Sequence, residues 1–76
     1  MYQIVFTDHV TGEKHFSIDE YPTLESAWKA AREAARTERW RRFGRAVQTD
    51  SGFMVGELEI KIINTKVYFS ALNVIL

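Results

Sequence analysis

Tyr2, Ile4 and Phe6 alternate with Gln3 and Thr7, and Phe16 and Ile18 alternate with His15, Ser17 and Asp19. A period of two marks half-buried strands, so the first twenty residues predict a hairpin turned near Thr11-Gly12. Facing Phe6 to Phe16 and Ile4 to Ile18 gathers the apolar side chains on one side. That pairing requires a three-residue loop, Val10-Thr11-Gly12, with Gly12 at the left-handed position. Pro22 then ends the second strand, and Thr23 stands as an N-cap before Leu24-Glu25-Ser26, with acidic Glu25 in the first turn. Leu24, Ala27, Trp28, Ala31, Ala34 and Ala35 recur at helical spacing, and the alanines let that face lie close against a sheet. The helix is expected to end or fray between Glu38 and Phe43.

Beyond Gly44 the period returns to two. Arg45 to Thr49 reads as a short strand, turned by Asp50-Ser51-Gly52 into Phe53-Met54-Val55 and the alternating Leu58, Ile60 and Ile62, with Glu57, Glu59 and Lys61 outside. Asn64-Thr65-Lys66 makes the next turn. The last predicted strand, Val67 to Leu76, has no charge and is apolar on both faces, as in strands covered on both sides. One helix covers one sheet face, so Tyr68, Leu72, Val74 and Leu76 are the expected interface of a homodimer. The predicted architecture is a single α+β domain over residues 1–76, in ββαβββ order, with one helix packed on one face of an antiparallel sheet.

Composition narrows the class. A chain of 76 residues holds one small core, and 46% apolar with 13% aromatic residues places it among folded domains. With no cysteine there is no disulfide framework and no thiolate metal site. The start Met1-Tyr2-Gln3-Ile4-Val5-Phe6 lacks the basic and apolar regions of a signal peptide, and no apolar run reaches the ~18 residues of a membrane span. The expectation is a protein of the cytoplasm with no membrane partner.

Charge changes the picture more. Lys29, Arg32, Arg36, Arg39, Arg41, Arg42 and Arg45 share one 17-residue stretch with only Glu33 and Glu38, a formal +5, and the remaining three lysines and eight acids carry −5. A net charge of zero thus hides a strong dipole, which fits a surface that docks something anionic. On a helix Lys29, Arg32, Arg36 and Arg39 project from one side with Trp40 nearby, a composition suited to phosphates and a stacked base. A solvated helix side, with Glu33 pairing to Lys29 or Arg36, fits the same residues. Both readings stand at this level, with Lys29, Arg32, Arg36, Arg39, Trp40, Arg41, Arg42 and Arg45 as the candidate partner-binding set. Trp40 and Phe43 are interface anchors if the helix continues through them, but cap the core if the chain turns after Thr37.

Catalytic patterns are missing. His9 and His15 lie beside Asp8, Glu13 and Asp19 near a hairpin tip, without a tightly spaced third ligand, and read as surface residues. Ser17, Ser26, Ser51 and Ser70 lack a nucleophile elbow, Gly52 to Gly56 is not a phosphate loop, and Glu57 with Glu59 reads as a solvated strand face. A non-enzymatic protein without cofactor or metal is expected.

The order of elements, with the run from Phe16-Ser17-Ile18 through Ser26-Ala27-Trp28-Lys29-Ala30-Ala31-Arg32 to Gly44-Arg45-Ala46-Val47-Gln48-Thr49-Asp50-Ser51-Gly52-Phe53, resembles the small phage-encoded inhibitors called anti-CRISPR proteins. This is a likeness of architecture over most of the chain, without a family motif. The resemblance implies a viral protein that docks on a bacterial nucleoprotein defence complex and blocks its engagement with target DNA. A small phage or plasmid nucleic-acid-binding protein using the basic helix is the alternative, and a homodimeric interaction module the third. The entry Thr23-Leu24-Glu25-Ser26-Ala27 also looks like the partial RNase-H-like domain of some antitoxins, whose glycine-rich third strand is missing before this helix.

Overall fold

A computed structural model of the chain describes residues 1–42 and 44–66. Five strands and one helix follow one another as β1 (Tyr2–Asp8), β2 (Lys14–Phe16), α1 (Leu24–Arg42), β3 (Ala46–Gln48), β4 (Gly52–Val55) and β5 (Leu58–Asn64). The strands form one antiparallel sheet in the order β2-β1-β5-β4-β3, and α1 links its two edge strands by crossing one face. The α+β class and the ββαβββ order are as expected, with β3, β4 and β5 all falling before residue 65; the strand expected over Val67 to Leu76 lies outside the described residues. The dimer interface expected at Tyr68, Leu72, Val74 and Leu76 lies outside the described residues.

Register puts large side chains on the sheet and small ones on the helix. Ile4 faces Ile62 and Phe6 faces Ile60 across β1 and β5, while Phe53 and Val55 of β4 face Ile60 and Leu58. Over them lie Ala27, Ala31 and Ala35, none more than 2% exposed, which lets the helix axis approach the sheet while Ile4, Ile60 and Val55 fill the space between. Trp28 packs edge-on against Phe53, with ring centroids 5.8 Å apart. On the face turned away from the helix, Val5, Thr7 and Ile63 are buried as well.

The N-cap forms as expected, with a serine in the role usually taken by glutamate. The Ser26 amide donates to Thr23 Oγ1 at 3.1 Å and the Thr23 amide donates to Ser26 Oγ at 3.3 Å. Leu24, expected on the buried face, is half exposed because it precedes the first full turn against the sheet.

The first hairpin differs from its expected register by one residue. Val5 pairs with Phe16 and Phe6 with His15, so Phe16 lies on the face away from the helix. The Asp8 carboxylate causes the shift. Its Oδ1 accepts the Val10 amide at 2.9 Å and the Thr11 amide at 3.4 Å, which builds a four-residue loop, His9-Val10-Thr11-Gly12, closed by the Asp8 amide donating to the Glu13 carbonyl. Gly12 keeps its left-handed position, with φ of 78°. Nor does β2 continue through Ile18. The Ile4 amide donates to Ser17 Oγ, Ser17 Oγ donates to the Asp19 carbonyl, and pairing resumes only where Tyr2 and Tyr21 exchange both backbone hydrogen bonds. Two extra residues are therefore looped out of the edge, leaving Ile18 99% exposed.

A second correction falls in the meander. Phe53 to Ile62 is two strands, because Val55 and Leu58 pair across a turn at Gly56-Glu57, and Gly56 adopts φ of 59° there. Reading Met54-Val55 onward into Leu58 ignored the one glycine that allows so tight a reversal. Gly52 is needed for a different reason: a Cβ there would run into the Ile60 carbonyl of the neighbouring strand.

Candidate anion-docking flank of the helix

Alanine spacing orients the basic side of α1. With Ala31 facing the sheet, Lys29, Arg32, Arg36 and Arg39 fall within a sector of about 80°, beside the buried stripe, and span roughly 15 Å along the axis. All four are exposed, and among the described residues none makes an ion pair or a side-chain hydrogen bond. Trp28 lies at the inner border of this sector, against β4, so the cations sit on the β4–β3 side of the helix. Glu13, Asp19 and Glu20 belong to the segment around β2, at the opposite edge of the sheet. The separation along the chain is only partly a separation in space, since Asp50 lies between β3 and β4 on the cations' side and Glu25 is in the first turn of α1.

The other arginines of the expected set behave differently. Glu38, its side chain only 16% exposed, receives Arg41 Nη1 at 3.2 Å and Arg42 Nε at 3.0 Å, and Arg42 Nη2 reaches Asp8 Oδ2 at 3.7 Å. The Glu38 pairs lie within the helix, and the Arg42–Asp8 pair joins its end to the first hairpin. The Val10 amide, then the Thr11 amide, Arg42 and His9, hold the Asp8 carboxyl below its ordinary value of 3.8, against a smaller opposing effect of desolvation. Arg41 and Arg42 thus spend their charge inside the molecule. Arg45 is exposed, in the stretch leading to β3.

Trp40 is not part of the core. The helix continues through Arg42, and nine residues beyond Ala31 the side chain points about 180° away from the sheet. Trp40 is 76% exposed as a result. Phe43 lies outside the described residues.

Two shallow clefts line the flank. Thr23, Glu25, Ser26, Trp28, Lys29 and Arg32 border one of about 540 Å³. Arg36, Arg39, Trp40 and Gly44 border the other, of about 360 Å³. Each holds one tryptophan and two cations, a pairing that a one-dimensional count of charges did not reveal. Glu25 is the one acid bordering either of them.

Both histidines are exposed, His9 Nε2 lying 3.4 Å from Glu59 and His15 Nε2 3.6 Å from Glu13. Among the described residues no three His, Cys, Asp or Glu side chains converge as a metal site, and no helix is long and apolar enough to cross a membrane. Ser17 and Ser26 use their hydroxyls in the edge and the N-cap. Compared with known proteins, the chain matches no family model, no curated protein and no solved structure.

Proposed function

We propose that this protein is a non-enzymatic binding module that docks the Lys29, Arg32, Arg36 and Arg39 flank of its helix on an anionic surface of a bacterial nucleoprotein, and so acts as an inhibitor of a defence complex that engages target DNA. One observation carries the reading: four adjacent cations have no partner within the described fold, while Arg41 and Arg42 beside them are paired. The helix fixes where these side chains are attached, and being unpaired they need not break an existing ion pair to meet a partner, although each must still be ordered on binding. A like-charged strip also accelerates encounter with an anionic partner and turns away cationic ones. Occupying the surface where target DNA would enter is enough to inhibit, with no chemistry required.

The test is capture from bacterial lysate followed by a DNA-engagement assay on the purified complex. Wild-type protein is expected to retain a nucleoprotein and suppress its binding to target DNA, and Arg32→Glu/Arg36→Glu is expected to do neither. Equal capture and inhibition by the reversed variant would overturn the reading. Direct binding to nucleic acid is the second reading, and the specific observation in its favour is the exposure of Trp40 beside Arg36 and Arg39.

A further inference from the structure

Trp40 is 76% exposed and offers a large planar face that a partner can cover. Among the described residues, the other side chains bordering its cleft are those of Arg36 and Arg39, both without ion pairs there. The cleft is shallow and open, about 360 Å³, so a planar group would lie on it rather than be enclosed by it. We propose that this end of the flank binds single-stranded nucleic acid, with one unstacked base lying on the face of Trp40 and the adjoining phosphates held by Arg36 and Arg39. The strand then follows the helix toward Arg32 and Lys29, which border the second cleft and meet Glu25 at its far end, while the Thr23 and Ser26 hydroxyls stay engaged in the N-cap. This rests on the docking reading above and names what the flank touches.

Three features favour a single strand. A planar aromatic beside two phosphate-binding forks matches a nucleotide, which joins a π-face to an anion in every unit, whereas an acidic peptide would use the cations and leave the indole uncovered. In a duplex the bases are stacked and paired, so Trp40 would have no platform to meet and only the charges would contribute. Trp28, about 18 Å back along the axis, cannot serve in the same way because its ring is half-buried and fixed edge-on against Phe53. It forms a wall of the second cleft, so the stacking contribution concentrates at Trp40.

The experiment titrates the full chain with a 12-mer of deoxythymidine and with a 12-base-pair duplex, following intrinsic tryptophan fluorescence and the anisotropy of labelled DNA. The single strand should quench the fluorescence, and that quenching should vanish in Trp40→Phe while affinity stays within a few-fold. Trp40→Ala, with an unchanged circular dichroism spectrum, should weaken binding roughly 5- to 150-fold, the range for one base stacked on an aromatic. Arg36→Gln and Arg39→Gln should each lower the log-log salt slope by about 0.7. Absence of quenching, binding by Trp40→Ala within twofold of wild type, or a duplex bound as tightly as the single strand would each overturn the proposal. The docking reading is judged separately. If Trp40→Ala still captures and inhibits the nucleoprotein while Arg32→Glu/Arg36→Glu does not, the base subsite falls and the anionic docking flank stands.

Discussion

Reversing Arg32 and Arg36 to glutamate should abolish docking and leave the fold at least as stable as before. Both side chains are exposed and make no ion pair or hydrogen bond among the described residues, so no folded-state contact is removed. Arginine and glutamate have similar helix propensities. What changes is the set of neighbours three and four positions away, each worth about 0.2–0.5 kcal/mol. Position 32 becomes attractive to Lys29 and position 36 to Arg39, position 36 becomes repulsive to Glu33, and positions 32 and 36 remain like-charged. Two pairs turn from repulsive to attractive and one the reverse, so the net is about 0.4–1 kcal/mol in favour of the variant, a rise in Tm of roughly 2–8 °C for a domain of this size. The flank itself goes from four positive charges to none net. If each cation neutralises one phosphate, wild-type affinity should fall roughly 50-fold for a single strand, or about 150-fold for a duplex, between 50 and 200 mM salt. The variant should lose that dependence along with its affinity. Anisotropy titrations at three salt concentrations, paired with thermal melts, read both quantities, and Arg32→Gln/Arg36→Gln should fall between the two proteins. A reversed variant that melts at or above wild type, binds within twofold and keeps the same salt slope would refute the reasoning and leave a solvated helix face.

Three further outcomes test the scaffold that holds the flank. Ile60→Ala, at a fully buried position on the central strand, should cost about 2–5 kcal/mol, a large part of the roughly 4–11 kcal/mol available to 76 residues, and urea unfolding that shows under 1 kcal/mol would contradict the packing described. Gly52→Ala should destabilise by about 1–3 kcal/mol or prevent folding, since its Cβ meets backbone that cannot turn aside, and an unchanged urea midpoint would rule out that close approach. Because folding lowers the Asp8 pKa, its charge stabilises the native state above the unfolded value and ceases to do so as pH falls through the folded one. The stability gap between wild type and Asp8→Asn should therefore be full at pH 7 and close below about pH 4, and a gap independent of pH would mean that the charge has no role.

The periodicities alone were enough for the α+β class, the first hairpin and the helix, but not for the break of Phe53 to Ile62 into two strands. Alternation in Tyr2-Ile4-Phe6, the alanine stripe of α1 and the Thr23 cap are local signals, and each formed where it was expected because nothing elsewhere in the fold competed with it. The exposure of Trp40 was also legible, since counting nine positions from Ala31 places it opposite the buried stripe; what hid it was allowing the helix to stop at Thr37. Register was not legible. Whether Phe16 meets Phe6 or Val5 depends on how many residues the Asp8 side chain gathers into the loop, and a single-residue slip moves every side chain of β2 to the other face at little local cost. The division of the arginines was legible in part. Glu38 meets Arg41 and Arg42 three and four positions on along the same helix, a spacing the sequence shows, whereas Asp8 lies far from Arg42 in the chain and only the crossing of α1 over the sheet brings the two together. Among the described residues Lys29, Arg32, Arg36 and Arg39 are left without ion pairs, beside an open indole. The order of residues determined that this protein carries a concentrated positive charge and that Glu38 answers part of it; the tertiary structure decided that Arg42 also reaches Asp8, because a pair between distant segments depends on distance in space and not along the chain.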